Sequence, residues 1–174
     1  MKSEYAIILY FDDHTNTIFQ NIIDKIAVET GNHYMINNQI PPHVTIGAFF
    51  AEKEPKLSEF TEKINVGEIA FNDLGSFEPY VLFVAPEKND YLRNCNIILS
   101  ARFNDLGYEE DQLYTIDNWI PHLTLATKLN AEQIEKARSF ANFTPFNGQV
   151  EKIALVKCNP FREIDCYGLG GGTV

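Results

Sequence analysis

The chain has 174 residues, 45% of them hydrophobic, with 24 acidic against 14 basic side chains and a formal net charge of −10. That length and apolar content are enough for a full hydrophobic core, while the acidic balance argues against gripping long nucleic acid, which takes a basic surface. No apolar run approaches membrane-spanning length, the N-terminus lacks a signal-peptide layout, and Cys95, Cys158 and Cys166 read as reduced thiols of a soluble cytoplasmic protein.

Tyr5 to Phe11 is a run of apolar residues and reads as a buried strand. Asp12 and Asp13 then turn the chain into a helix, with Phe19, Ile22, Ile23 and Ile26 on its inner face and Gly31 as C-cap. A strand is expected from His43 to Phe50, then a second helix burying Leu57, Phe60 and Ile64, then a short strand over Glu68 to Phe71. The order then repeats. Tyr80 to Ala85 is a strand, and Leu92, Cys95, Leu99, Phe103 and Leu106 make a helical stripe that stops at Gly107. A strand runs from His122 to about Lys128. Asn130 and Gln133 form a capping box for a helix burying Ile134, Ala137 and Phe140. Val150 to Cys158 is the closing strand, and the tail Gly168-Leu169-Gly170-Gly171-Gly172 is expected to fray. The expectation is one α+β domain over 1–174, bilobal and pseudo-twofold, with approximate lobes 1–79 and 80–174.

The duplication carries chemistry. Pro42-His43-Val44-Thr45 and Pro121-His122-Leu123-Thr124 each set a histidine and a threonine two apart in an apolar run. Side chains alternate across a strand, so each pair projects from one face. Histidine titrates near neutrality and can give or take a proton; a threonine hydroxyl can donate to a phosphate oxygen. Two such pairs across a cleft suit in-line displacement at phosphorus, one imidazole activating water and the other protonating the leaving oxygen. A cyclic phosphate fits that scheme, and no metal is required by it. No Cys/His cluster suggests zinc.

The paired motifs and the duplicated layout resemble the two-histidine (2H) phosphoesterase superfamily, within it the bacterial 2′-5′ RNA ligase and cyclic phosphodiesterase branch. Asn118-Trp119-Ile120-Pro121-His122-Leu123-Thr124-Leu125-Ala126 and Gly75-Ser76-Phe77 are similar to small members of that branch. The resemblance covers about residues 4 to 168. It implies antiparallel sheets lining a central cleft, metal-independent hydrolysis of 2′,3′-cyclic phosphates of nucleotides or RNA ends, no cofactor, and His43, Thr45, His122 and Thr124 as the catalytic residues.

One departure stands out. Many relatives carry an arginine shortly after a motif, whereas here the motifs continue Gly47-Ala48-Phe49-Phe50 and Ala126-Thr127-Lys128. Strict alternation puts Gly47 and Phe49 on the His43 face, and Ala126 and Lys128 on the His122 face. Lys128 is then the candidate to offset substrate charge, and Phe49 to stack a base or pack a wall. The missing arginine favours small nucleotides or short RNA ends as partners. In hydrolysis His43 is assigned as general acid and His122 as general base. Two other readings stay open: a non-catalytic nucleotide or RNA-end binding module, and a metal site using both histidines with His33. Action on 2′-5′ linkages is a variant of the first reading.

Overall fold

The computed structural model describes residues 1–170, and the alternation of apolar residues accounts for most of its elements. In strand β1 (Ser3–Phe11), Tyr5, Ile7, Leu9 and Phe11 enter the main core, while Ala6 and Ile8 enter a smaller apolar cluster on the opposite face. Helix α1 (Asp13–Thr30) starts where the Asp12 carboxylate accepts from the Thr15 N–H at 2.9 Å, and it ends at Gly31 with φ 71°. That left-handed cap is a position glycine takes without steric cost. A short helix α2 (Tyr34–Asn37) precedes β2 (Val44–Ala51), and the first half ends in β3 (Gly67–Phe77). The second half comprises β4 (Val81–Pro86), α3 (Asp90–Leu106), a two-residue β5 (Glu109–Glu110), β6 (Leu123–Ala126), α4 (Ala131–Phe140), β7 (Phe146–Lys157) and β8 (Arg162–Gly168). Gly107 closes α3 as Gly31 closes α1, and the Asn130/Gln133 capping box is formed.

Three expectations fail. Leu57, Phe60 and Ile64 are buried as read, but only Leu57–Glu59 forms a single 3-10 turn there. Between Pro55 and Gly67 there is too little chain to offset helix nucleation, and the three side chains reach the core from turns. Strand β8 was not anticipated. It lies at the end of the pairing order, where only two apolar side chains are half-buried: Ile164, left without a partner by a bulge, against the main core, and Cys166 against the smaller cluster. In the tail, Gly168 belongs to β8, and the Leu169 N–H donates to the Glu151 carbonyl at 2.7 Å. Gly171 and Gly172 lie outside the described residues.

All strand pairings are antiparallel, in the order β1-β2-β6-β4-β3-β7-β8, and β7 also pairs with β1. The pairings thus make a circuit. Two three-strand groups are related across it, β7-β1-β2 and β3-β4-β6, each with one motif strand. In both groups the third strand comes from the other half of the sequence: β7 completes the β1-β2 pair, and β3 completes the β4-β6 pair. Helix α1 packs on α4 and the back of β6, whereas α3 packs on the back of β2. The motif strands meet at one residue pair, Val44 opposite Leu123.

Candidate active site

That single pairing puts all four motif side chains on one face. With Val44 opposite Leu123 in antiparallel register, Thr45 comes opposite His122 and His43 opposite Thr124. Val44 and Leu123 point into the core, both fully buried, so their neighbours point the other way. His43, Thr45, His122 and Thr124 line one cleft of about 280 Å³.

A β-bulge follows each motif. In the β1-β2 ladder Ile8 faces Thr45 and Ile7 faces Gly47, so Ile46 has no partner. In the β4-β6 ladder Phe83 faces Thr124 and Leu82 faces Ala126, so Leu125 has none. One extra residue reverses every later side chain. Hence the next cleft residues are Ala48 and Thr127, three positions beyond the threonines. Phe49 is therefore corrected: it is fully buried in the core, with ring centroids 4.6 Å from Phe103 and 5.3 Å from Phe60, and it is no wall of the cleft. Gly47 turns inward with it. Lys128 is corrected in position too. Strand β6 ends at Ala126, which is buried in the core; Lys128 has φ 59°, is exposed, and its ammonium lies 6.0 Å from the Tyr34 ring centroid at the rim.

The two histidines are held alike. His43 Nδ1 lies 2.7 Å from the Pro41 carbonyl, and His122 Nδ1 lies 2.7 Å from the Ile120 carbonyl. A carbonyl can only accept, so Nδ1 carries the proton and Nε2 is left for the cleft. Burial pushes the His43 imidazole down to about 4, with a further lowering from His122; its carbonyl partner opposes this. Burial also lowers His122, again against its carbonyl partner. Both rings are neutral in the free site at pH 7.

Each ring has an aromatic neighbour from a hairpin turn. Phe161, between β7 and β8, lies 6.0 Å from His43, and Phe77, at the end of β3, lies 5.2 Å from His122 edge-on. Phe83 adds a second contact to His122 at 5.3 Å. Gly75 allows this, because a Cβ there would collide with the Phe83 ring. The sequence reading gave neither a place at the site, Phe77 entering it only within Gly75-Ser76-Phe77, although an aromatic beside a turn proline (Pro160-Phe161, Phe77-Glu78-Pro79) was a usable signal.

Thr45 is fixed from a segment that alternation could not connect to it. The Trp119 indole N–H donates to the Thr45 carbonyl at 3.2 Å. The fully buried Asn96 amide donates to the unpaired Ile46 carbonyl at 3.0 Å and to the Tyr114 carbonyl at 2.8 Å. Asn96 thus replaces the ladder partner that the bulge removes. Tyr114, whose phenol is pushed up to about 12 by burial, also lines the cleft and stays a protonated donor.

No arginine or lysine lines the cleft, and Glu4, whose carboxyl burial pushes up, lines it with Cys158 near Tyr114. No group of three His, Cys, Asp or Glu side chains able to hold a metal occurs among the described residues. His33 is exposed ahead of α2. No helix among the described residues is long and apolar enough to cross a membrane.

The fold is that of E. coli LigT, solved with 3′-AMP, at 11% identity, TM-score 0.62, and 98% and 99% coverage of the two chains. The crystal structure of a phosphoesterase gives TM-score 0.61 at 13% identity, covering 97% of this chain and 99% of the other. TT0787 of Thermus thermophilus gives 0.59 at 16%, covering 97% and 98%. Comparison with curated protein sequences gives no match. The family model of the 2′-5′ RNA ligase superfamily matches residues 18–159, and the chain belongs to that superfamily, the 2H phosphoesterases.

Proposed function

We propose that the protein is a phosphodiesterase that opens 2′,3′-cyclic phosphates of nucleotides or RNA ends by two-histidine acid/base catalysis. The carrying observation is the twofold arrangement about the Val44–Leu123 pair, with both Nδ1 atoms tied to backbone carbonyls and both Nε2 atoms left for one cleft. A phosphodiester anion between the rings raises the pKa of each, so a proton enters with the substrate. His122 takes the proton of the attacking water, and His43 gives its proton to the departing ribose oxygen. The P–O bond to water forms as the ring P–O bond breaks, and the histidines exchange protonation states. The Thr45 and Thr124 hydroxyls donate to the non-bridging oxygens as charge builds there. The scheme uses no metal. Lys128 at the rim offsets substrate charge at long range. LigT, solved with 3′-AMP, with ATP and with NADP+, supports a small nucleotide as the partner.

The test is product analysis on nucleoside 2′,3′-cyclic phosphates and short RNAs ending in cyclic phosphate, with chelator present, for wild type, His43→Ala and His122→Ala. Ring opening by wild type alone is expected. Equal turnover by folded variants would sink the mechanism, and binding without product would turn the reading to a nucleotide-binding module.

A further inference from the structure

Beside the cleft, on the His122 side, lies a second cavity of about 230 Å³ that shares Phe77, Tyr114 and His122 with it. Its remaining walls are Leu113, Trp119, Ile120 and Asn118. Nothing in the proposed phosphoryl chemistry uses it. It is already formed: the Asn118 and Trp119 N–H groups both donate to the Thr115 carbonyl, at 3.0 and 2.9 Å. Its lining is almost wholly apolar. The Trp119 indole N–H goes to the Thr45 carbonyl at 3.2 Å, and one Asn118 amide N–H donates to the Gln112 carbonyl at 2.9 Å. What faces the cavity is ring and aliphatic surface, and Leu113 and Ile120 are left 72% and 54% exposed. The cavity at the opposite end, about 240 Å³ beside Pro41 and sharing Met35 and Ile40 with the cleft, differs in kind: it is edged by Gln20, Asp24 and Gln39 and has no aromatic wall.

We infer that this apolar cavity is a nucleobase subsite that reads the presence of a base by contact with its face and is nearly blind to its identity. The inference rests on the proposed phosphodiesterase reading and adds the orientation of the substrate: base beyond His122, phosphate between the histidines. A site that strongly selects one base presents hydrogen-bond groups that go unpaired with the wrong one. A site walled by ring and aliphatic surface imposes little of that penalty, whereas stacking and apolar contact serve every base. Continuity with the catalytic cleft singles out the group attached to the phosphate as the occupant.

Two measurements test this, and their failures are separable. Trp119 is the only tryptophan of the chain, and it walls the cavity. Its fluorescence should respond saturably to adenosine 3′-monophosphate and not to inorganic phosphate, and Leu113→Ser should weaken that response about fivefold or more. The same response to both probes, or none to either, overturns the subsite whatever the enzyme's activity. In the kinetic arm, kcat/KM for the four nucleoside 2′,3′-cyclic phosphates should agree within about tenfold and exceed that for ribose 2′,3′-cyclic phosphate by about 10–100-fold. Leu113→Ser should shrink that ratio. A hundredfold preference for one base overturns the face-reading site, as does an unchanged ratio in the variant. A Trp119 response without turnover of any cyclic phosphate upholds the subsite and removes the reaction.

Discussion

The His43 and His122 halves carry the same device in different surroundings. Each has a proline before the histidine, an Nδ1 bond to the carbonyl two residues back, and a bulge just after the threonine. Around His43 the cleft has Ala6, Ile8 and Ala48 as its floor and Phe161 beside the ring, and the adjoining cavity is edged by the polar Gln20, Asp24 and Gln39. Around His122 it opens into an apolar cavity, and Thr127 stands where the first half has Ala48. In the proposed reaction the shared features are those that aim a proton and a hydroxyl at phosphorus. The features that differ belong to whatever the phosphate carries. Duplication supplied a symmetric reaction centre, and the loops before and after it supplied direction.

The largest expected effect separates the two halves directly. Alanine at either His43 or His122 should lower kcat about 10²–10⁴-fold on cyclic nucleotides. A phosphodiester with a nitrophenol leaving group needs no acid, so it should restore much of the rate of His43→Ala and none of that of His122→Ala. Rescue of the His122 variant instead would reverse the polarity.

Phe49→Ala tests the correction made by the first bulge. It should cost about 3–5 kcal/mol of stability, as loss of a buried phenylalanine does, with KM of the folded protein little changed; a large KM effect at unchanged stability would return Phe49 to the cleft.

The third test is pH. Activity requires one protonated and one neutral imidazole, and the free pair titrates as a unit. With His43 held at about 4 and His122 below its ordinary value, the singly protonated pair is most populated on the acid side of pH 6.5. Thus kcat/KM should fall as pH rises above that, and the kcat optimum should lie at higher pH, since the bound anion raises both groups. A kcat/KM that climbs to a plateau above pH 7.5 would contradict the burial of the pair.

The smallest effect belongs to Lys128. An exposed rim ammonium is screened by salt, so Lys128→Ala should raise KM about threefold or less, and the difference should vanish at high ionic strength.

The four motif residues were legible because their signal is local: a repeated four-residue string whose alternation is fixed by backbone geometry. Helices α1, α3 and α4 were legible for a similar reason, since their caps at Gly31, Gly107 and Asn130 sit within a few residues of the stripes they bound. Phe49 and Lys128 were misplaced by the same rule that found the histidines. Period two holds only while the ladder is regular, and nothing within Ile46-Gly47-Ala48 announces an unpaired residue. The bulge is stabilised from afar, by Asn96 on α3 reaching the Ile46 carbonyl 50 positions away in sequence. Tyr114 and Trp119 were hidden for that reason too. Their roles depend on hydrogen bonds to Thr45 and Asn96 that no spacing pattern encodes.

The exchange of third strands has a consequence for how the chain reaches this state. When the first 79 residues have been made, β1 still lacks β7 and β3 still lacks β4, so both expose unpaired, apolar edges. Neither half can close its own ladder, and the edges stay open until residue 157 or so has emerged. Folding is then a concerted, late event dominated by contacts distant in sequence, of the kind that proceeds slowly and exposes sticky intermediates. A fragment ending near residue 79 should aggregate by itself, and adding the remaining residues as a separate chain should rescue it into a soluble, two-piece protein.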